Sequence, residues 1–314
     1  MLGRPVQRAL GGEADSRNMD HVSYYREVYH MGDLIWGLLI LASLAALLFW
    51  GAVRLARRGS AWTSTALAMA VAAFLVVFGL TVHGKLVVAH WLPLSNAIIL
   101  GNGFPLGAAV LAGVAAGRRS IPVWRRTVLG AGLLAGAWWS VLVNLLPGSL
   151  PSADRWTPDG VCLQSSEASC SPAAAATLLR HHGIEASEAE MMRLCLTRRG
   201  GSPSLGLYRG LKLKTRGTPW RVEVVRGTPD ELRRDLATPV LLRMRLRREP
   251  TTAARLLGWT GLVAEPGHAV VLYEATADGR LLVGDPASGK GTWPAADFLP
   301  HWRGEGLRLV ERSP

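Results

Sequence analysis

Gln164-Ser-Ser-Glu-Ala-Ser-Cys170-Ser-Pro-Ala-Ala-Ala-Ala176 is a polar turn that runs directly into an alanine-rich helical pattern. Ser169 stands at the N-cap position, and Pro172 falls in the first turn, where a missing N–H is tolerated. The pattern predicts a helix over 173–182 stopped by Gly183, with Cys170 at its N-terminal turn. A thiol is a nucleophile as thiolate, and the unpaired N–H groups and dipole of a helix start favour that anion.

Two later stretches supply the other groups that such chemistry needs. His268 follows Gly267 and opens the apolar run Ala-Val-Val-Leu-Tyr273, which reads as a strand, and Asp285 in Gly284-Asp285-Pro286 closes the next one. His268 is then the candidate base and Asp285 its orienter. Gln164, six residues before the cysteine, is placed to join the Cys170 N–H in holding an oxyanion. Each residue also has a plainer reading: a small buried cysteine, a structural histidine, an aspartate in a turn. Their combination in one order favours the site.

The surrounding pattern gives a coarse secondary structure. Residues 187–196 read as a helix with Ser187 capping and Glu190 at the third position, and 205–213 as another. Residues 221–225, 240–245, 269–274 and 281–284 read as strands, with Ala277-Asp278-Gly279 as the hairpin turn joining the last two. Helices followed by a sheet is an α+β order.

Gln-x5-Cys followed by Pro and Ala, a His opening an apolar strand, and Asp-Pro seventeen residues after that His resemble the bacteriocin-processing, double-glycine-leader cysteine peptidases, a papain-like family. The resemblance covers roughly residues 160–312 and extends to the segment 186–190 and the turn Arg199-Gly-Gly201. It implies a catalytic triad of Cys170, His268 and Asp285, an oxyanion hole lined by Gln164, and cleavage after small residues such as Gly-Gly. The chain departs from the family at Ser171, where glycine usually follows the nucleophile.

The first half is different in kind. The 314 residues are 49% hydrophobic, with a mean hydropathy of +0.20, and the excess lies before residue 147. Residues 34–53, 62–82, 94–116 and 127–146 are each long enough to cross a hydrocarbon core of about 30 Å as helices, although Asn96, Asn102 and Pro105 interrupt the third. A very apolar soluble bundle is the alternative to four spans. The expected fold is therefore an α+β papain-like peptidase domain (159–314) preceded by an all-α transmembrane region of about four helices (34–146). A polar tail (1–33) precedes that region, and a linker (147–158) follows it. No apolar core precedes residue 34, so the first span serves as the insertion signal.

Arginine placement orients the spans. Arg54, Arg57 and Arg58 follow the first, and Arg118, Arg119, Arg125 and Arg126 follow the third, whereas only Lys85 follows the second. The positive-inside rule makes the two basic loops cytoplasmic and the C-terminal domain extracytoplasmic. All three cysteines, Cys162, Cys170 and Cys195, lie after the last span, and an odd count in an oxidising space suggests a Cys162–Cys195 bridge with Cys170 free; two simply buried thiols are the alternative.

The net charge of +12 is largely this topology, so no nucleic-acid partner is read from it. Arg243, Arg245, Arg247 and Arg248 form a local run that reads as a solvated strand end or a contact to anionic headgroups. The cysteines lack paired ligand spacing, and adjacent His181 and His182 point to different helix faces, so neither metal nor cofactor is expected. No Gly-x4-Gly-Lys-Ser/Thr loop occurs; any export would need a separate exporter. The expected function is a membrane-anchored cysteine peptidase acting on a peptide or protein substrate. The alternatives are a membrane-tethered papain-like module that binds peptides without cutting them, and a thiol acyltransferase.

Overall fold

In the computed structural model the described residues are 12–146, 148, 150–234, 239–245, 267–276 and 278–312, with side chains described from residue 31 onward except at 233 and 234. Ala277 of the expected hairpin turn, and Arg247 and Arg248 of the basic run, lie outside them. Among the described residues, four helices long and apolar enough to cross a membrane fill the N-terminal half, and an α+β domain built on a six-stranded sheet follows.

Helix α1 (Gly12–Arg58) carries the first apolar stretch, so helix already covers residues 12–33 of the segment read as a polar tail. Helix α2 (Ala61–Thr81) returns, with Ser60 capping the Thr63 N–H. Ahead of the third stretch lies a short helix, α3 (Val87–Trp91), where the sequence suggested only a loop. The third stretch is broken into α4 (Ala97–Leu100) and α5 (Phe104–Gly117). The break falls at Asn102, whose buried side chain donates to Ser140 Oγ (2.9 Å) and accepts from the Phe104 N–H (3.2 Å), satisfying backbone that the interruption frees. Helix α5 is the buried centre of the bundle. Its face Gly113-Val-Ala-Ala-Gly117 lies directly on α1, where a Cβ at either glycine would collide with Phe49 O or Ala56 Cβ. Helix α6 (Val123–Leu142) completes the bundle.

The sheet order is β3 (Trp220–Arg226), β8 (Trp302–Glu311), β4 (Val240–Arg245), β5 (Gly267–Ala275), β6 (Arg280–Asp285), β7 (Gly289–Pro294), with every neighbour antiparallel. A two-stranded ribbon, β1 (Arg155–Trp156) and β2 (Cys162–Leu163), precedes the helices α7 (Cys170–His181), α8 (Glu188–Leu194) and α9 (Ser204–Lys214). Short helices α10 (Pro229–Arg234) and α11 (Ala295–Phe298) lie between strands. Ala173, Ala174, Ala175 and Ala176 of α7 are fully buried, and the helix packs on β5 and β4. Small side chains let the backbone of α7 come close to the sheet that carries the other site residues.

The α+β domain sits on one end of the bundle. Arg209 of α9 forks onto Asp33 of α1 (Nη2–Oδ1 2.8 Å, Nε–Oδ2 3.0 Å), and Arg198 donates to Val143 O just past α6 (2.7 Å). Glu305 of β8 accepts the Leu86 N–H in the loop after α2 (3.1 Å). One continuous apolar cluster runs from Leu34 and Leu41 of α1 through Ile99 of α4 and Leu211 of α9 to Leu309 of β8. The arginine-rich turns are at the opposite end: Arg118 binds Ser64 Oγ and Ala61 O at the start of α2. The connector after α6 is docked. Gly148 lies against Thr197 and Arg198, and Asp154 accepts the Glu188 N–H (2.8 Å).

Candidate active site

Cys170 is the first residue of α7. The N-cap expectation for Ser169 is only partly met: it holds the cap position, but its hydroxyl turns back to the Ser166 carbonyl (3.0 Å) and caps no helix N–H. That bond closes the turn before Cys170.

His268 is the second residue of β5 and Asp285 the last of β6. In an antiparallel pair the start of one strand lies beside the end of the next, so the topology brings the two together. His268 Nε2 meets Asp285 Oδ1 at 2.6 Å. The same ring acts on Cys170, and with Nε2 on Asp285 its Nδ1 is the nitrogen left for the sulfur. Asp285 Oδ1 is itself fixed by the Ala287 N–H (2.8 Å). Gln164 follows β2; its N–H donates to Pro286 O (2.8 Å) beside the acid, and its Nε2 donates to Ser166 O (3.1 Å), leaving the second amide hydrogen for a ligand.

Electrostatics follow from these contacts. Burial pushes the Cys170 thiol up, but the His268 hydrogen bond and charge, the Ala269 N–H and the Ser171 hydroxyl outweigh it, and the net shift is below the ordinary 9.0. Burial pulls His268 down, yet its hydrogen bonds to Asp285 and Cys170 and their charges raise it to about 10. Burial raises Asp285, and the His268 hydrogen bond with the Ala287 N–H brings it below its ordinary value. The arrangement therefore favours thiolate beside imidazolium. The pair is complete above the lowered Cys170 value and is lost as pH rises through about 10, where His268 gives up its proton. A profile of kcat/KM against pH is expected to fall on the alkaline side near 10, with its acid limb below the ordinary thiol value of 9.0; an acid limb at or above that value would contradict this charge state.

The other two cysteines correct an expectation. All three thiols are free, so no Cys162–Cys195 bridge is formed. Cys162 lies in β2 with its N–H on Thr177 Oγ1 (2.9 Å), while Cys195 sits at the end of α8 against Gly210 of α9. Each is a small apolar filler in its own layer, and burial first of all pushes both thiols up to about 12.

No protein-family model and no curated protein sequence matches the chain. Solved structures do. The peptidase domain of Streptococcus ComA, described as a bi-functional ABC transporter involved in a quorum-sensing pathway, aligns with 48% of this chain and 96% of its own at 19% identity and a TM-score of 0.38. A double glycine motif protease from an AMS/PCAT transporter, solved with its leader peptide, aligns with 53% of this chain and 98% of its own at 17% identity and a TM-score of 0.38. The peptidase domain of Streptococcus mutans ComA aligns with 48% and 98% at 18% identity and a TM-score of 0.34.

Other residues around the site carry no motif of their own. Ser171 is buried, and its hydroxyl is among the groups that lower the Cys170 thiol, a contribution glycine could not make. The Ala269 N–H does the same from the backbone of β5, a contact that requires the sheet. Neighbouring His181 and His182 do not diverge as expected of one helix: His182 lies just past the end of α7, and the two rings meet edge-on with centroids 5.3 Å apart, His181 also packing on Tyr273 and His182 on Trp220 with Nδ1 at Leu178 O (2.9 Å). Arg243 of the basic run binds Ser204 Oγ on α9.

Proposed function

We propose that the chain is a membrane-anchored cysteine peptidase whose domain, residues 159–314, cleaves a peptide bond by acyl transfer. The observation that carries the reading is the His268 ring held between Cys170 and the Asp285 carboxylate, with the cysteine at a helix start. Cys170 thiolate adds to the carbonyl carbon, and the π pair moves to oxygen, where Gln164 Nε2 and the Cys170 N–H stabilise it. Collapse of this intermediate breaks the C–N bond, and His268 protonates the leaving amine. His268 then takes a proton from water, which attacks the thioester and returns free Cys170. Asp285 holds the imidazole in the orientation that both transfers need. Ser171 supports the thiolate from its own side chain.

The residue-level resemblance to double-glycine-leader peptidases makes a peptide with a Gly-Gly site the first substrate to test, and a separate exporter a candidate partner. Mass analysis of products from a Gly-Gly peptide incubated with the purified chain is expected to show the two hydrolysis fragments, absent with Cys170→Ser. Fragments joined to an added amine would indicate an acyltransferase; an intact peptide would favour the binding module.

In this reading the four apolar helices lie in a bilayer with the basic turns in the cytoplasm, and the peptidase domain docks on the extracytoplasmic side. Trp36, Trp50, Trp62 and Trp91 are exposed and lie toward span ends, where indoles favour the interface. The free thiols remove the redox argument for this orientation, so it rests on the arginines alone. An impermeant protease added to intact cells is expected to digest the C-terminal domain, and thiol counting on denatured, unreduced protein to find three. Full protection would reverse the orientation, and a count of one would restore the bridge.

A further inference from the structure

Glu188, the first residue of α8, is fully buried, and none of its hydrogen bonds among the described residues goes to the triad. Its carboxylate accepts the Ser165 N–H on Oε1 (2.7 Å), and the Ser165 hydroxyl (2.5 Å) and Ser152 hydroxyl (2.9 Å) on Oε2. Ser165 Oγ in turn accepts the Ala153 N–H (2.8 Å), and Asp154 Oδ1 accepts the Glu188 N–H (2.8 Å). Ser165 is the residue after Gln164. The Gln164 N–H is held by Pro286 O next to the acid, so the oxyanion amide lies on a segment fixed at one end by the Asp285 turn and at the other by Glu188.

We propose that Glu188 is a positioning residue that sets the place of the Gln164 amide through Ser165; this rests on the peptidase reading above. A buried carboxylate needs strong donors, and one that takes the N–H and hydroxyl of a single residue fixes that residue's orientation as well as its distance. An oxyanion donor works only when it is already aimed at the position the oxygen will take, so a shift of the segment reduces transition-state binding more than substrate binding. The shared Ser152 contact places the end of the connector from α6 in the same network.

Two probes separate this role from a general structural one. A peptide ending in Gly-glycinal forms a bond from Cys170 sulfur to its aldehyde carbon, and the carbonyl electron pair moves onto an oxygen that sits in the oxyanion hole. Iodoacetamide alkylates the same thiolate with loss of iodide and forms no oxyanion. Glu188→Gln in the full chain is expected to weaken aldehyde binding about tenfold or more, as for a displaced catalytic donor. The rate of Cys170 alkylation and its pH profile should not change. In a Gln164→Ala background the same substitution is expected to add nothing, because the two residues act as one unit. Unchanged aldehyde affinity, an equal loss in the Gln164→Ala background, or a parallel fall in alkylation would each overturn the proposal. Should Glu188→Gln not fold, Ser165→Ala removes the hydroxyl bond while keeping the carboxylate, and the same selective loss is required of it. Failure of the peptidase reading shows in the wild type, as alkylation of Cys170 without aldehyde binding, and takes this proposal with it; failure of the Glu188 role alone leaves the wild type binding aldehyde and the variants indistinguishable from it.

Discussion

Cys170→Ser is expected to lower turnover by about 10,000-fold or more while leaving the circular dichroism spectrum unchanged. A serine hydroxyl fits the space of the thiol but does not ionise beside an imidazole, so the charge pair that His268 and the Ala269 N–H arrange against the effect of burial disappears. His268→Ala is expected to cost nearly as much, and the double variant no more than either, because nucleophile and base act together. Asp285→Asn keeps the shape and loses the charge that raises His268. Its loss should be about a hundredfold milder. Single-turnover assays on one peptide check all four, and additive losses would mean that the residues do not form one unit.

The second large effect is on stability. Arg209 is 1% exposed and Asp33 11%, and they pair through two hydrogen bonds between α9 and the start of the first apolar stretch. Arg209 also donates to Leu194 O (2.8 Å), so it ties α8 and α9 to α1 at once. Arg209→Ala leaves the Asp33 carboxylate at a closed interface without its partner, and breaking a buried pair in this way destabilises by about 3–5 kcal/mol. Asp33→Asn with Arg209→Met removes both charges and should recover much of that loss. Thermal unfolding of the full chain in detergent reads the difference. Equal destabilisation in the single and double variants would show that the pair contributes by packing alone.

These two predictions rest on features of different legibility. Cys170, His268 and Asp285 each stand at an element boundary, and boundaries leave local marks: a turn and proline before the alanine run, a glycine before the apolar strand, a proline after the acid. Antiparallel pairing of β5 with β6 then does the rest. Asp33 and Arg209 are 176 residues apart, and nothing near either announces the other. Asp33 looks like the last residue of a polar tail, because burial by a distant helix has no local signature. The strand order was equally hidden. Strand β8 enters between β3 and β4 from the far end of the chain, and its glycines interrupt the alternation that Leu307 and Leu309 continue. Gly306 is required there because a side chain would meet Leu241 O (2.8 Å), a constraint set by the neighbouring strand.

The cysteine pairing failed for a related reason. An odd count is an argument about compartment, whereas Cys162 and Cys195 are placed by the packing of β2 under α7 and of α8 on α9. The break at Asn102 was visible as an interruption in the third apolar stretch; its satisfaction by Ser140 of α6 was not. Glu188, next to the capping Ser187, carries no mark of its own in the sequence. Its contacts with Ser152 and Ser165 depend on the connector folding back over α8.

The central claim is that His268 holds Cys170 as a thiolate ready for a carbonyl. The direct test is mass-mapped labelling of the folded, full-length chain at pH 7 with a peptidyl thiol probe, in the wild type and in His268→Ala. The predicted result is rapid labelling at Cys170 alone, with Cys162 and Cys195 unmodified, and its loss in the variant. Labelling of Cys170 that is absent at pH 7, or as fast without His268 as with it, would contradict the account.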